Sequence, residues 1–173
     1  MNRKIKTPAE QVKTVAAKIK TAAGLGALLV VLAETISCRT AAPLPPADLS
    51  APGWRVMQGQ AIWRPSRQHA ELAADLMVAT NSTGDYLVQL TKDPFPIVTA
   101  EAVGGQWQIQ FQAGRYSRSG HGPPPARFPW FQLPRALRGA APGADWRFEW
   151  VNPNAWRLEN PVTGESLEGV FFP

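Results

Sequence analysis

The chain of 173 residues contains one cysteine and two histidines. A single Cys excludes an internal disulfide and any multi-thiolate zinc site, and two His exclude a His-rich metal centre. Charge is sparse as well, at 18% of residues. Apolar content of 45% with seven Trp nevertheless argues against general disorder. No apolar run approaches the roughly 20 residues that span a bilayer. The longest, Ala22 to Ala33 (AAGLGALLVVLA), has 12 residues. No GxGxxG or P-loop pattern follows a strand-like segment, so a phosphate-cradling loop is absent from the expectation, and no cofactor is implied.

The chain does carry a net charge of +5, which invites nucleic acid or anionic membrane as a partner. Its distribution decides between them. Residues 1–37 hold six basic side chains (Arg3, Lys4, Lys6, Lys13, Lys18, Lys20) and two acidic ones (Glu10, Glu34), a net of +4. From Cys38 onward there are 12 basic and 11 acidic residues, a net of +1. The basicity is N-terminal, and it precedes the 12-residue apolar run. A basic stretch, a short apolar core and small residues near a candidate cut describe an export signal over 1–37. No basic patch interleaved with aromatics follows, so nucleic acid is not expected as a partner.

Cys38 stands directly behind that signal. Thr35-Ile36-Ser37-Cys38 resembles the lipobox of bacterial lipoproteins, although Thr35 occupies a position usually given to an aliphatic residue. The resemblance implies lipid attachment at Cys38. The alternative is an incidental Cys behind an uncleaved anchor or an ordinary signal. Two or three acyl chains would anchor firmly, each buried methylene contributing about 0.8 kcal/mol. Thr7-Pro8-Ala9-Glu10 reads as a capping box with Pro at the first helical position. The long basic region is therefore either a membrane-surface helix or a leader lengthened by an upstream start.

Residues 38–53 are rich in Ala and Pro and predict an extended tether. All seven Trp lie beyond it, so the folded domain is expected over 54–173. There the dominant signal has period two. Gln106-Trp107-Gln108-Ile109-Gln110-Phe111-Gln112 alternates as a half-buried strand should, and Gly104-Gly105 before it suits a primed hairpin turn. Further strands are expected at Gln58–Arg64, Asp85–Lys92, Pro96–Val103, Trp146–Trp150, Ala155–Glu159 and Ser166–Phe172. Ala70–Thr80 is ambiguous, because Glu71, Leu72, Ala73 and Ala74 are good helix formers. About eight strands joined by short turns predict a mainly β fold, an antiparallel meander. Arg118–Pro125 (RSGHGPPP) is expected to be neither strand nor helix. In Phe128–Gly139, Pro129 and Pro134 limit any helix to one or two turns each, and Gly139 is a natural stop.

Catalytic groupings are weak. Ser117, Ser119 and His121 could be posed as nucleophile and base, but no nucleophile-elbow pattern surrounds them. Glu165 with Glu168, or Glu149 with Glu159, could form a carboxylate pair, yet nothing fixes their separation. His69 has no Cys or His neighbour. No enzyme is expected, and no metal. The positive feature is apolar: an aromatic sheet face under a short aromatic helix either packs solid or leaves a pocket suited to an acyl chain.

The order of elements (GQAIW, AELAADLMVAT, DYLVQLTKDPF, QIQFQAGRYS, then FPWFQLPRALRG and a final run of strands) resembles the LolA/LolB-type lipoprotein-localisation factors, LolB above all. The resemblance spans about residues 56–173 and implies a strongly curved antiparallel sheet, an incomplete β-barrel, with a short helical lid. It implies a cavity for lipoprotein acyl chains, lined here by Trp107, Ile109, Phe111, Trp130, Phe131 and Leu133. It also implies an apolar membrane-contacting loop, with Phe95 as its tip. Partners would be the membrane through the lipid anchor, lipoprotein acyl chains and a periplasmic carrier, with the protein a monomer. Arg39 after the Cys lacks the acidic signal of inner-membrane retention. By analogy the place would be the outer membrane, facing the periplasm, with inner-membrane anchoring as the alternative. The alternative function is a structural or interaction lipoprotein of the envelope with a solid β core and no ligand.

Overall fold

The computed structural model describes residues 44–112, 116–143 and 145–173. The export signal and Cys38 lie outside the described residues. Among the described residues no helix is long and apolar enough to cross a membrane.

The fold is mainly β: nine antiparallel strands form one curled, unclosed sheet, with one short helix. In chain order the strands are β1 (Arg55–Arg64), β2 (Leu72–Thr80), β3 (Tyr86–Lys92), β4 (Phe95–Val103), β5 (Gln106–Phe111) and β6 (Tyr116–His121). The helix α1 (Pro129–Leu137) follows, and then β7 (Arg147–Trp150), β8 (Ala155–Glu159) and β9 (Ser166–Phe171). Their order across the sheet is β6-β5-β4-β3-β2-β1-β9-β8-β7. Two hairpin meanders are thus joined where the last strand pairs with the first. This seam runs from Gly59 opposite Phe171 to Arg64 opposite Ser166.

The ambiguous segment resolves as strand β2. Its helix formers are overruled by alternation, with Leu76 and Val78 buried and Ala73 and Asp75 exposed. Gly104 and Gly105 both take positive φ (59° and 75°), as a primed turn between β4 and β5 requires.

One expectation fails. Arg118–Pro125 is expected to be irregular, and residues 122–125 are, yet Tyr116–His121 forms β6, paired along β5 from Phe111–Tyr116 to Gln106–His121. It lacks the usual apolar alternation because the inward position opposite Trp107 is Gly120, which leaves room for the indole. A Cβ there would lie 2.6 Å from the Trp107 ring. The helix also differs from expectation. It runs as one nine-residue element through Pro134, with Pro129 at its first position and no side-chain cap. Packing holds it where propensity would not: Trp130, Phe131 and Leu133 are at most 1% exposed.

The core lies between α1 and the concave face of the sheet, around Val88, Leu90, Val98, Ile109, Leu158 and Leu167. The stretch assigned to the tether is joined to the sheet from Leu44 on. Its Leu44 N–H donates to Oε1 of Gln108 at 2.9 Å, and Ala47 donates to Glu101. Glu101 and Gln108, only 2% and 4% exposed, face each other across β4 and β5 and bond to one another. They sit on the convex face and are buried there.

The seam depends on two glycines. A Cβ on Gly59 would run into the backbone of Val170 and Phe171, and one on Gly169 into the Gln60 carbonyl. Gly59→Ala is therefore expected to lower stability by about 2–4 kcal/mol, as overpacking against rigid backbone does. The measurement is the urea midpoint, with Gly104→Asn, in an open turn position, as the near-neutral control.

Candidate functional site

Alternation places Trp107, Ile109 and Phe111 of β5 on the concave face, and the helix brings Trp130, Phe131 and Leu133 down onto it. The structure therefore does bring the six nominated residues together, but as packing partners. Trp107 meets Phe131 edge-on with ring centres 5.8 Å apart. Phe128 meets Phe131 edge-on at 6.0 Å, and Phe111 lies 6.4 Å from Phe128. Trp130 is met edge-on by Trp63 of β1 at 5.2 Å. Such offset aromatic pairs add about 0.5–1.5 kcal/mol each beyond their buried area. Trp107, Ile109, Trp130, Phe131 and Leu133 are all at most 8% exposed; Phe111 is half-buried.

The helix is connected like a plug. Gly122 before it and Gly139 after it both have positive φ (77° and 78°), a backbone region that glycine enters without steric cost. Gln132, buried in α1, accepts through Oε1 from the Gly143 N–H at 2.7 Å. The Trp146 indole N–H donates to the Ala126 carbonyl at 2.8 Å, tying the two flanks together. The Trp130 indole N–H is buried without an acceptor, a cost of about 1–3 kcal/mol against the closed arrangement.

Phe95, the nominated loop tip, opens β4 and is 71% exposed. At the β7–β8 turn, Trp150 and Val151 are 49% and 62% exposed. Of the catalytic candidates, Glu165 and Glu168 line one hollow, whereas the Ser/His grouping is spread along one strand. Ser117, Ser119 and His121 alternate along the outer face of β6, which spaces neighbours by about 6.6 Å, beyond hydrogen-bond reach. His69 Nδ1 is 2.7 Å from the Ser66 hydroxyl in an exposed turn. Glu168 holds Arg157 at 2.9 Å, and Glu149 approaches the same guanidinium at 4.0 Å. Among the described residues no group of three His, Cys, Asp or Glu could hold a metal ion.

Two buried polar features stand out, and of their residues only Glu165 is posed as a site residue by the sequence. One is the buried Glu101–Gln108 pair under residues 44–47; burial pushes the Glu101 carboxyl up. The other is Glu165, in the turn before β9, which accepts from the Trp63 indole N–H at 3.0 Å. Burial, opposed by that hydrogen bond, pushes the Glu165 carboxyl up to about 7. Around it lies a polar hollow of about 240 Å³ lined also by Arg64, Arg157, Glu159 and Glu168.

A larger cavity of about 600 Å³ opens on the outer face of β1, β2, β8 and β9. None of the six nominated concave-face residues lines it.

A scan against protein-family models matches none, and a search of curated proteins finds no significant relative.

Glu165 carries a pH prediction. Its folded pKa of about 7 exceeds the ordinary carboxylate value of 4.5, so the folded state holds the proton more tightly than the unfolded one. Its contribution is fully present below about pH 4.5 and is lost as pH rises through 7. The urea midpoint of the parent chain is expected to fall between pH 5 and 8 relative to Glu165→Gln, which keeps an acceptor for Trp63 and cannot ionise. Parallel midpoints for parent and variant across that range would remove Glu165 as the cause.

Proposed function

We propose that the chain is a lipid-anchored protein of the bacterial cell envelope. In this reading its half-barrel binds acyl chains or lipoproteins in the manner of LolB-like lipoprotein localisation, without catalysis. Cys38 carries the anchor, and the domain faces the periplasm. The observation that carries the reading is the unclosed nine-stranded sheet curled around one short aromatic helix. An incomplete barrel whose concave face is filled by a detachable element is a binding device when that element can be exchanged for a ligand.

The exchange is energetically balanced. Trp130, Phe131 and Leu133 contribute about 2–3 kcal/mol each by burial, roughly 6–9 kcal/mol together. A 16-carbon acyl chain brings about 12 kcal/mol at 0.8 kcal/mol per methylene. A chain of that length therefore offsets the undocking of α1 and leaves a margin for ordering the ligand. The glycines at both ends of the insert give it a place to turn, and the unpaired Trp130 indole N–H favours leaving.

A second reading is favoured by the packing itself. The six concave-face residues belong to one packed cluster, in which Trp107 meets Phe131 edge-on and Trp63 and Phe128 meet Trp130 and Phe131 in the same way, as in a solid core. In that case the domain is an interaction module of the envelope and holds no ligand inside.

Hydrogen exchange separates the two readings. With a fluorescent diacylated lipopeptide as probe, saturable binding should be accompanied by loss of amide protection in 129–137. Binding without that loss, or no binding by a folded domain, overturns exchange of the helix and leaves the interaction module. The anchor is tested on its own: Cys38→Ser should move the mature protein out of the membrane fraction and remove the lipid mass from its N-terminal peptide. Unchanged fractionation and mass would sink the lipobox.

A further inference from the structure

The cavity on the outer face belongs to neither reading, and its chemistry is different. Register across the sheet aligns Ala155, Val170, Gln60, Asp75 and Thr91 in one outward row. Arg157, Glu168, Ile62 and Ala73 form the row beside it. The small side chains of Ala73 and Ala155 keep the floor low between exposed Ile62 and Val170. The walls are raised at opposite sides by Lys92 at the end of β3 with Asp93 of the β3–β4 turn, and by Val151 beyond β7. The resulting volume of about 600 Å³ falls within the roughly 300–1,000 Å³ of small-molecule sites.

Charge selects what can enter. Arg157 is already engaged by Glu168 at 2.9 Å and approached by Glu149 at 4.0 Å. Asp75, Asp93 and Lys92 also line the cavity, and among the described residues none of them forms an ion pair. The β3–β4 side of the groove therefore presents two carboxylates against one ammonium. An apolar floor with an excess of negative charge at one side complements an alkyl chain bearing a cationic head.

We infer that this outer groove is a binding site for a single-chain amphiphile with an amine or quaternary-ammonium head, the chain lying over Ile62, Ala73 and Val170 and the head beside Asp75 and Asp93. The site is separate from the concave face and does not require α1 to move. Its occupant is excluded from the core by the sheet itself.

The test is calorimetric titration of the full-length Cys38→Ser chain with dodecyltrimethylammonium, dodecyl maltoside and dodecanoate, each below its micelle-forming concentration. The expected result is one saturable site, with the cation bound roughly fivefold tighter than the carboxylate at low salt, the scale of two partly exposed charge contacts. The gap should narrow as salt is added and close in Asp75→Asn/Asp93→Asn. Ala73→Phe, at an exposed strand position where an aromatic is well accommodated, should fill the groove and cut affinity at least tenfold without lowering the urea midpoint. Absence of saturable binding, or equal or tighter binding of dodecanoate, overturns the proposal. Binding that survives Ala73→Phe but changes in Phe131→Ala also overturns it, and places the ligand on the concave face instead. Loss in Ala73→Phe with no change in 129–137 amide protection supports the groove whatever becomes of the helix-exchange reading.

Discussion

Everything in this domain follows from how β9 joins β1. The first and last strands meet in mid-sheet, so two separate meanders become one surface. Their close approach is possible because Gly59 and Gly169 present no Cβ to the facing backbone. A seam that tight sharpens the curl of the sheet around it, since bending without steric relief would cost backbone strain. A curled sheet has an inner face too concave to pack on itself. Something must fill it, and the segment between β6 and β7, the two unpaired edges, supplies α1.

The helix is consequently a tertiary element before it is a local one. Nine residues with no side-chain cap and Pro134 in the interior would not be stable in isolation. Its stability comes from Trp130, Phe131 and Leu133 against β-strand side chains. That is the same free energy an acyl chain would compete for, so the strength of the core and the capacity to bind inside it are one quantity. The outer groove escapes this competition. Its floor is built from the reverse side of the same strands, where Ile62 and Val170 alternate with the inward Ala61 and Gly169.

Period-two alternation made most of the sheet legible: β5 through Gln106–Phe111, the Gly104-Gly105 turn, and the C-terminal hairpins all follow it. β6 was hidden because its inward position is Gly120, whose role is to make space for Trp107 rather than to be buried itself. A short helix was legible in Phe128–Gly139, but its continuity through Pro134 was not, because Pro134 argues locally against what packing enforces. The six concave-face residues could be grouped from apolar periodicity, yet whether they surround a space or each other depends on side-chain fit, which periodicity does not encode. The outer groove left even less trace. It arises from pairing Ala73 with Ile62 across the β1–β2 hairpin and Gln60 with Val170 at the seam, where the two strands lie more than a hundred residues apart in sequence. Glu165 and Trp63 are likewise 102 positions apart, and neither residue alone signals the hydrogen bond between them.

That bond links the two faces. Trp63 donates to Glu165 at one edge of its indole and meets Trp130 of the helix with the ring. A carboxyl that titrates near neutrality therefore holds a ring that forms part of the seat of α1. Ionised, Glu165 accepts more strongly from the indole but bears the cost of its own burial; protonated, it relieves that cost and loosens its hold on Trp63. The first change acts on total stability and the second on where the ring stands. The two changes oppose each other at the seat of α1, and the hollow around the carboxyl has Arg64 and Arg157 in its wall. The seam strand β1 thus carries Gly59 for curvature, Trp63 for seating the helix and Ile62 for the outer floor, three functions assigned by nothing more than alternation along one strand.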